Sequence, residues 1–251
     1  MTTRLQEPYL AGRTALVTGA AGGLGQAISR RLAALGAHVV LGDIDGSRLH
    51  ELAGSISEQG GEAVKSVFDV SDSRAVRAAF AQMGPVEILV NNAGICPLTP
   101  ADEIDESEWD EVLAVNLKGA FLCTQAALPG LRAAGWGRVV NISSLAGQMG
   151  GIAVGVHYAA SKSGLLGMTK AFARILAPSG VTVNSIAPGT LDSGLTDAWP
   201  ESLRQELEAK TTLGRFVEPD EVAATVAFLC SPLAATITGA TIDVNGGMLM
   251  R

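Results

Sequence analysis

The run Thr14-Ala15-Leu16-Val17-Thr18 passes directly into Gly19-Ala20-Ala21-Gly22-Gly23-Leu24-Gly25. A helical pattern through Ile28, Leu32 and Leu35 to Gly36 follows. This stretch constrains the fold more than any other. A short apolar run closed by glycines reads as a buried strand. Strand, glycine turn and helix together are the context a phosphate-binding loop requires. Glycines let the backbone approach a pyrophosphate closely, and the helix N-terminus offers free N–H groups and a positive dipole end. Gly19, Gly23 and Gly25, with Leu24 between the last two, are assigned to that task. The spacing departs from G-x-G-x-x-G, because Ile28 stands where its last glycine would fall. No Gly-Lys-Ser/Thr closes the turn, so it is not a Walker loop. A glycine turn without a ligand is the competing reading, and the flanking strand and helix disfavour it.

The same alternation continues along the chain. Ala37 to Gly42 reads as a second strand ending at Asp43. An acid about 20 residues past the glycine turn is placed either to hydrogen-bond an adenosine ribose or to cap the next helix. A third strand, Ala63 to Phe68, closes on Asp69-Val70, and Ser71 reads as the cap of the helix after it. A fourth, Val86 to Val90, runs into Asn91-Asn92-Ala93-Gly94. A helix is predicted from near Ser107 to about Ala134, with Asn116 in its middle. Asn is a poor interior helix residue, so it is either solvent-facing or marks a kink or relay. A fifth strand, Arg138 to Ser144, ends in two hydroxyls. Leu145 to Val156 reads as a loop, and His157 to Ala177 as a helix. A sixth strand, Val181 to Ala187, is broken by Pro188-Gly189. Residues 190–213 carry a weak pattern and read as a lid over the site. Pro219 opens a helix, and Ala240 to Val244 is the last strand.

Hydrophobic residues make up 47% of the 251 and aromatics only 4%, so the core is built from Ala, Val, Leu and Ile. That suits a parallel sheet buried under helices. The expected architecture is one α/β domain over residues 1–251: a doubly wound, mostly parallel, seven-stranded sheet with helices on both faces. The formal net charge of −7 and the absence of a basic run exclude a nucleic-acid surface. Cys96, Cys123 and Cys230 have no metal-ligand spacing, and no metal is expected. Their odd number fits a reducing cytoplasm, the expected location. No signal-peptide core and no bilayer-length apolar run are apparent, so no membrane partner is expected.

Tyr158 and Lys162 fall one helical turn apart on one face. A nearby ammonium favours phenolate and is expected to lower the Tyr158 pKa from about 10 toward neutrality. Alone, the pair reads more readily as a surface Tyr resting on a Lys stem, because Tyr-x-x-x-Lys is a common spacing. Thr18-Gly19-x-x-x-Gly23-x-Gly25, Asn91-Asn92-Ala93-Gly94, Asn116, Ser144 and Tyr158-x-x-x-Lys162 stand in an order that resembles the short-chain dehydrogenase/reductases of compact type. Asp69-Val70 and Pro188-Gly189 extend the resemblance to roughly residues 12–248.

The resemblance implies roles. Tyr158 is the general acid in ketone reduction and the general base in alcohol oxidation. Ser144 steadies the substrate oxygen. Lys162 tunes Tyr158 and holds the nicotinamide ribose. Asn116 supports a proton path to solvent. Gly19, Gly23, Leu24 and Gly25 hold the pyrophosphate side, Asp69 and Val70 the adenine, and Asn91 with Ala93 and Gly94 the adjoining ribose region. Pro188, Gly189, Leu191 and Ser193 lie near the nicotinamide, with Thr190 competing for the Ser193 role. The resemblance also implies a homotetramer. Asp43, with no cation at Gly22 or Ile44, favours NAD over NADP. The leading expectation is NAD(H)-dependent interconversion of a secondary alcohol and a ketone. A 3-oxoacyl-thioester reductase is the alternative, and a non-catalytic dinucleotide sensor a distant third. Residues 95–100, 145–157 and 190–213, including Ile152 and Trp199, are expected to line an apolar small-molecule pocket.

Overall fold

The computed structural model describes residues 8–151, 154–192 and 200–251. Ile152, Ser193 and Trp199, named above for the pocket and the nicotinamide, lie outside the described residues. Seven strands form one sheet: β1 (Thr14–Thr18), β2 (His38–Asp43), β3 (Glu62–Val67), β4 (Ile88–Asn91), β5 (Gly137–Ile142), β6 (Val181–Pro188) and β7 (Thr241–Val244). Their order is β3-β2-β1-β4-β5-β6-β7. Every pairing is parallel, where the sequence predicted mostly parallel. The order reverses between β1 and β4, and a crevice opens at the carboxyl ends of strands flanking such a point. The glycine turn leaves β1 there, and Asn92, Ala93 and Gly94 leave β4.

Helices cover both faces, and β4, β5 and β6 are buried along their whole length. One face packs against α1 (Gly23–Ala34), α2 (Gly46–Glu58) and α9 (Pro219–Cys230) through Ile28, Leu32, Leu49, Ile56 and Val222. The other packs against α3 (Ser73–Met83), α5 (Gly119–Ala134) and α7 (Val156–Leu176) through Val76, Cys123, Leu131, Phe172 and Leu176. β3 is half-exposed at the sheet edge.

Several boundaries differ from the sequence reading for local reasons. Asp72, not Ser71, caps α3 by accepting from the Arg74 amide. The predicted long helix begins earlier, as α4 (Glu106–Leu113) capped by Asp105. It passes through a π-helical turn, Ala114–Lys118, before continuing as α5. Asn116 lies buried within that turn, so it is not the solvent-facing residue that was one of its alternatives. The loop after Ser144 contains α6 (Ala146–Met149). Within the predicted lid, α8 (Glu201–Glu208) is helical, and Leu191 bridges to Val217.

The segment 106–134 is long and apolar enough to cross a membrane by length and composition. Its acidic first turn and inward-facing Asn116 fit a helix packed on α3 and α7.

Candidate active site

The glycine turn is built by close approach. Gly19 adopts φ +66°, and a Cβ there would meet the Ala93 backbone at 2.7 Å. A Cβ on Gly25 would lie 2.1 Å from the Gly19 carbonyl oxygen. Only glycine fits either position. A Cβ on Gly23 would meet nothing within 4 Å, so the turn is open on that side. Gly22 caps α1 without a side-chain bond, and no acid occupies the first turn. The N–H groups at this helix end therefore have no competing side-chain acceptor, which fits a dinucleotide pyrophosphate.

Asn92 fastens the turn to β4. Its Nδ2 donates to the carbonyls of Thr18 and Gly19 at 2.9 and 3.0 Å. The Thr18 hydroxyl accepts from the amides of Asn92 and Ala93, each at 3.1 Å. The sequence places Asn92 only within the Asn91-Asn92-Ala93-Gly94 motif that follows the fourth strand. Its fixed distance from Gly19 is set by tertiary pairing, which local spacing does not reveal.

Asp43 ends β2 and is half-buried. One carboxylate oxygen accepts from the Ala21 amide at 3.0 Å, the other from the Asp45 amide at 3.1 Å. The cap of α2 is Asp45, which accepts from Ser47 and Arg48. The capping alternative for Asp43 is thereby corrected: its carboxylate faces the glycine turn. Asp69 is exposed and accepts from the Ser71 amide. Val70 is buried, and it packs so closely on α5 that a Cβ on Gly119 would meet it at 2.7 Å.

The Asn91 side chain points away from the crevice. Its Nδ2 donates to Thr124 and Asn141 at 3.0 and 2.8 Å, and Asn141 donates to Thr169 at 2.8 Å. This buried chain joins β4 to β5, α5 and α7. With its Nδ2 committed to these partners, Asn91 would meet an adjoining ribose through its backbone.

Ser143 and Ser144 separate cleanly. The Ser143 hydroxyl is buried and donates to the Lys162 carbonyl at 2.8 Å. The Ser144 oxygen accepts from the Ala146 amide at 3.1 Å, and its hydroxyl meets the Tyr158 phenol. Ser144 is therefore the hydroxyl brought to Tyr158, with α6 holding it in place.

Tyr158 and Lys162 share a face of α7. The Lys162 ammonium is 5.6 Å from the Tyr158 ring centroid and donates to the Ile142 carbonyl at 2.9 Å. Lys162 is only 4% exposed, and burial pushes its pKa down to about 8. Burial pushes Tyr158 up to about 12; charge at Cys96 adds to this, and the Ser144 bond opposes it. The expected lowering is thus reversed in the free chain, because desolvation penalises phenolate more than its neighbours favour it.

Asn116 is 1% exposed. Its side chain accepts from the Ile95 amide at 2.8 Å and donates to the Ile95 carbonyl at 2.9 Å, as a strand partner would. It also donates to the Ser161 hydroxyl at 3.1 Å. Gly94 lies between, where a Cβ would sit 3.2 Å from the Asn116 carbonyl oxygen and 3.3 Å from the Lys162 nitrogen. Pro188 ends β6, with Gly189 tight against Asn245. Ser144, Tyr158, Lys162 and Asn116 therefore converge at the carboxyl edge of the sheet, beside the glycine turn.

A family model described as enoyl-(acyl carrier protein) reductase matches residues 19–249. The 3-oxoacyl-[acyl-carrier-protein] reductase FabG of Aquifex aeolicus is 40% identical over 247 residues, covering 96% of this chain and 99% of its own. A structure described as 3-oxoacyl-[acyl-carrier protein] reductase from Brucella melitensis, with bound NAD, superposes with a TM-score of 0.92 at 34% identity. It covers 100% of this chain and 98% of that one. One described as a 2-deoxy-D-gluconate 3-dehydrogenase from Agrobacterium tumefaciens, with bound NADP, superposes at 0.91 and 40% identity, covering 98% and 100%. With the converged tetrad and the glycine turn, these similarities make the chain an oxidoreductase that belongs to the short-chain dehydrogenase/reductase family.

Proposed function

We propose that the protein interconverts a ketone and a secondary alcohol using NAD(H), with 3-oxoacyl thioesters as the first substrate class. The observation that carries the reaction is the buried Lys162 ammonium held 5.6 Å from the Tyr158 ring centroid on one face of α7, with Ser144 fixed at the end of β5 by the Ala146 amide. The relatives at 40% identity named as 3-oxoacyl reductases favour that substrate over a simple alcohol. A nicotinamide dinucleotide, when bound, supplies or accepts the hydride. Gly19, Gly23 and Gly25 with the α1 N-terminus would hold its pyrophosphate, and Asp43 its adenosine ribose.

The chain's own residues manage the proton. With its pKa near 12, Tyr158 keeps its proton at neutral pH and can donate it to the oxygen of a reduced ketone. Ser144 accepts from the Ala146 amide, which leaves its own hydroxyl proton to stabilise charge on that oxygen. Lys162, 5.6 Å from the ring centroid, favours phenolate once the proton has left. Asp43 carries the cofactor reading, because no cation stands at Gly22 or Ile44 to meet a 2′-phosphate.

A second reading, oxidation of a polyhydroxy acid, is favoured by the 40% identity to the protein described as 2-deoxy-D-gluconate 3-dehydrogenase. The test is a parallel assay of 3-oxoacyl thioesters, simple ketones and alcohols, and sugar acids, each with NAD(H) and NADP(H). A kcat/KM for a 3-oxoacyl thioester at least about tenfold above the other classes supports the proposal. Turnover of sugar acids alone moves the assignment to the second reading. Turnover of none contradicts both.

A further inference from the structure

A chain of hydrogen bonds outside the tetrad ends on the backbone of Tyr158. α7 begins at Gly155, which makes no side-chain cap. The first N–H groups of a helix have no intrahelical acceptor. The Tyr158 amide finds one in the Nδ1 of its neighbour His157, at 2.9 Å. An N–H can only donate, so this Nδ1 carries no proton and Nε2 of the neutral ring does. Nε2 lies 2.8 Å from Oε1 of Glu108, on α4, and donates to it. The other Glu108 oxygen accepts from the Thr99 hydroxyl at 3.0 Å.

The His157 ring is fully buried, and the chain makes room for it. Gly155 has an ordinary backbone, φ −64° and ψ 153°, that any residue could adopt. A Cβ there would nonetheless lie 2.3 Å from Cε1 and 2.5 Å from Nδ1 of the imidazole. Glycine stands at this position because the ring folds back over it.

The opposite side of Tyr158 is held in the same manner. Its carbonyl accepts from the Ser161 hydroxyl at 2.7 Å, Ser161 accepts from Asn116, and Asn116 grips both backbone groups of Ile95. One arm thus joins the Tyr158 carbonyl to Ile95. The other joins the Tyr158 amide, through His157 and Glu108, to Thr99. The segment 95–99 is thus tied at both ends to the turn that carries the catalytic phenol.

We propose that Glu108 and His157 are positioning residues for Tyr158. They fix the first turn of α7 and couple it to the pocket segment 95–99. The inference rests on the reading of Tyr158 as the proton donor. Glu108 fixes the imidazole tautomer, as carboxylate partners of histidine do elsewhere. Small displacements of a reacting group cost large factors in rate.

Three variants and three readouts test this. Glu108→Ala removes the acceptor. Glu108→Gln keeps an amide oxygen that accepts from Nε2. Gly155→Ala pushes the ring aside without touching either polar partner. Glu108→Ala and Gly155→Ala are expected to lower kcat about tenfold or more, with the dinucleotide KM within about twofold. Glu108→Gln is expected to recover kcat to within about threefold of wild type. In ¹⁵N-histidine spectra His157 is expected as the neutral Nε2–H tautomer. Hydrogen exchange at the Tyr158 amide is expected to quicken in Glu108→Ala and not in Glu108→Gln. An Nδ1–H tautomer, wild-type kcat in Glu108→Ala, or equal damage in Ala and Gln variants would overturn the proposal. If wild type turns over no ketone or alcohol, the assigned reaction fails, and the tautomer and amide exchange still decide the positioning.

Discussion

The carboxylate of Asp43 accepts a hydrogen bond from the Ala21 amide at 3.0 Å, tying the end of β2 to the glycine turn. The acid is thereby held where an adenosine ribose would lie, with lone pairs left for its hydroxyls. A 2′-phosphate would meet like charge instead. The expected preference for NAD is about 2–4 kcal/mol, or roughly 30- to 1,000-fold in kcat/KM. Asp43→Ala should narrow that ratio sharply. Steady-state kinetics with both cofactors, in wild type and variant, check this. An unchanged ratio would leave Asp43 only the role of bracing the turn.

Lys162 is buried at a cost that its function requires. Its folded pKa, about 8, lies below the ordinary 10.5. Between these values the unfolded chain holds more protons than the folded one, so stability rises with pH across the window. Below pH 8 both states are protonated and the full penalty is present. Lys162→Met is therefore expected to be more stable at pH 7 by about 1–3 kcal/mol, while losing activity. The gain should shrink by pH 9.5, short of the window from 10 to about 12 in which Tyr158 titrates. Urea melts at the two pH values check both signs.

Much of this site was legible because its parts are local. The glycine turn, the acid ending β2 and the Tyr158-x-x-x-Lys162 pair are read from short spacings, and the fold brings them to one edge of the sheet. Choosing Ser144 over Ser143 depended on which hydroxyl α7 consumes, which no local pattern contains. The buried partners of Asn91, Thr124 and Asn141, lie 33 and 50 residues away, so local spacing could not show them. The Tyr158 pKa went the other way because a charge one turn along is visible in sequence and burial is not. Glu108 and His157 were missed altogether: they are 49 residues apart, and each reads locally as an ordinary helix residue.

A homotetramer remains a prediction, with a physical motive in the exposed apolar faces of α4, α5 and α7. Trp109, Phe121 and Ile175 are 37%, 41% and 51% exposed. These helices would pair with symmetry copies, burying faces that a monomer leaves in water. Light scattering at micromolar concentration should give four times the chain mass. A monomeric mass would contradict it.

The central claim is that the phenol of Tyr158 carries the proton in a hydride-transfer reaction. Tyr158→Phe keeps the ring and its packing and removes only that group. The decisive measurement is single-turnover reduction of the best ketone substrate by NADH in wild type and Tyr158→Phe, alongside NADH binding by fluorescence. The account predicts a loss of about 10²-fold or more in the rate, with the dinucleotide Kd within about twofold. Near wild-type reduction by Tyr158→Phe would contradict it.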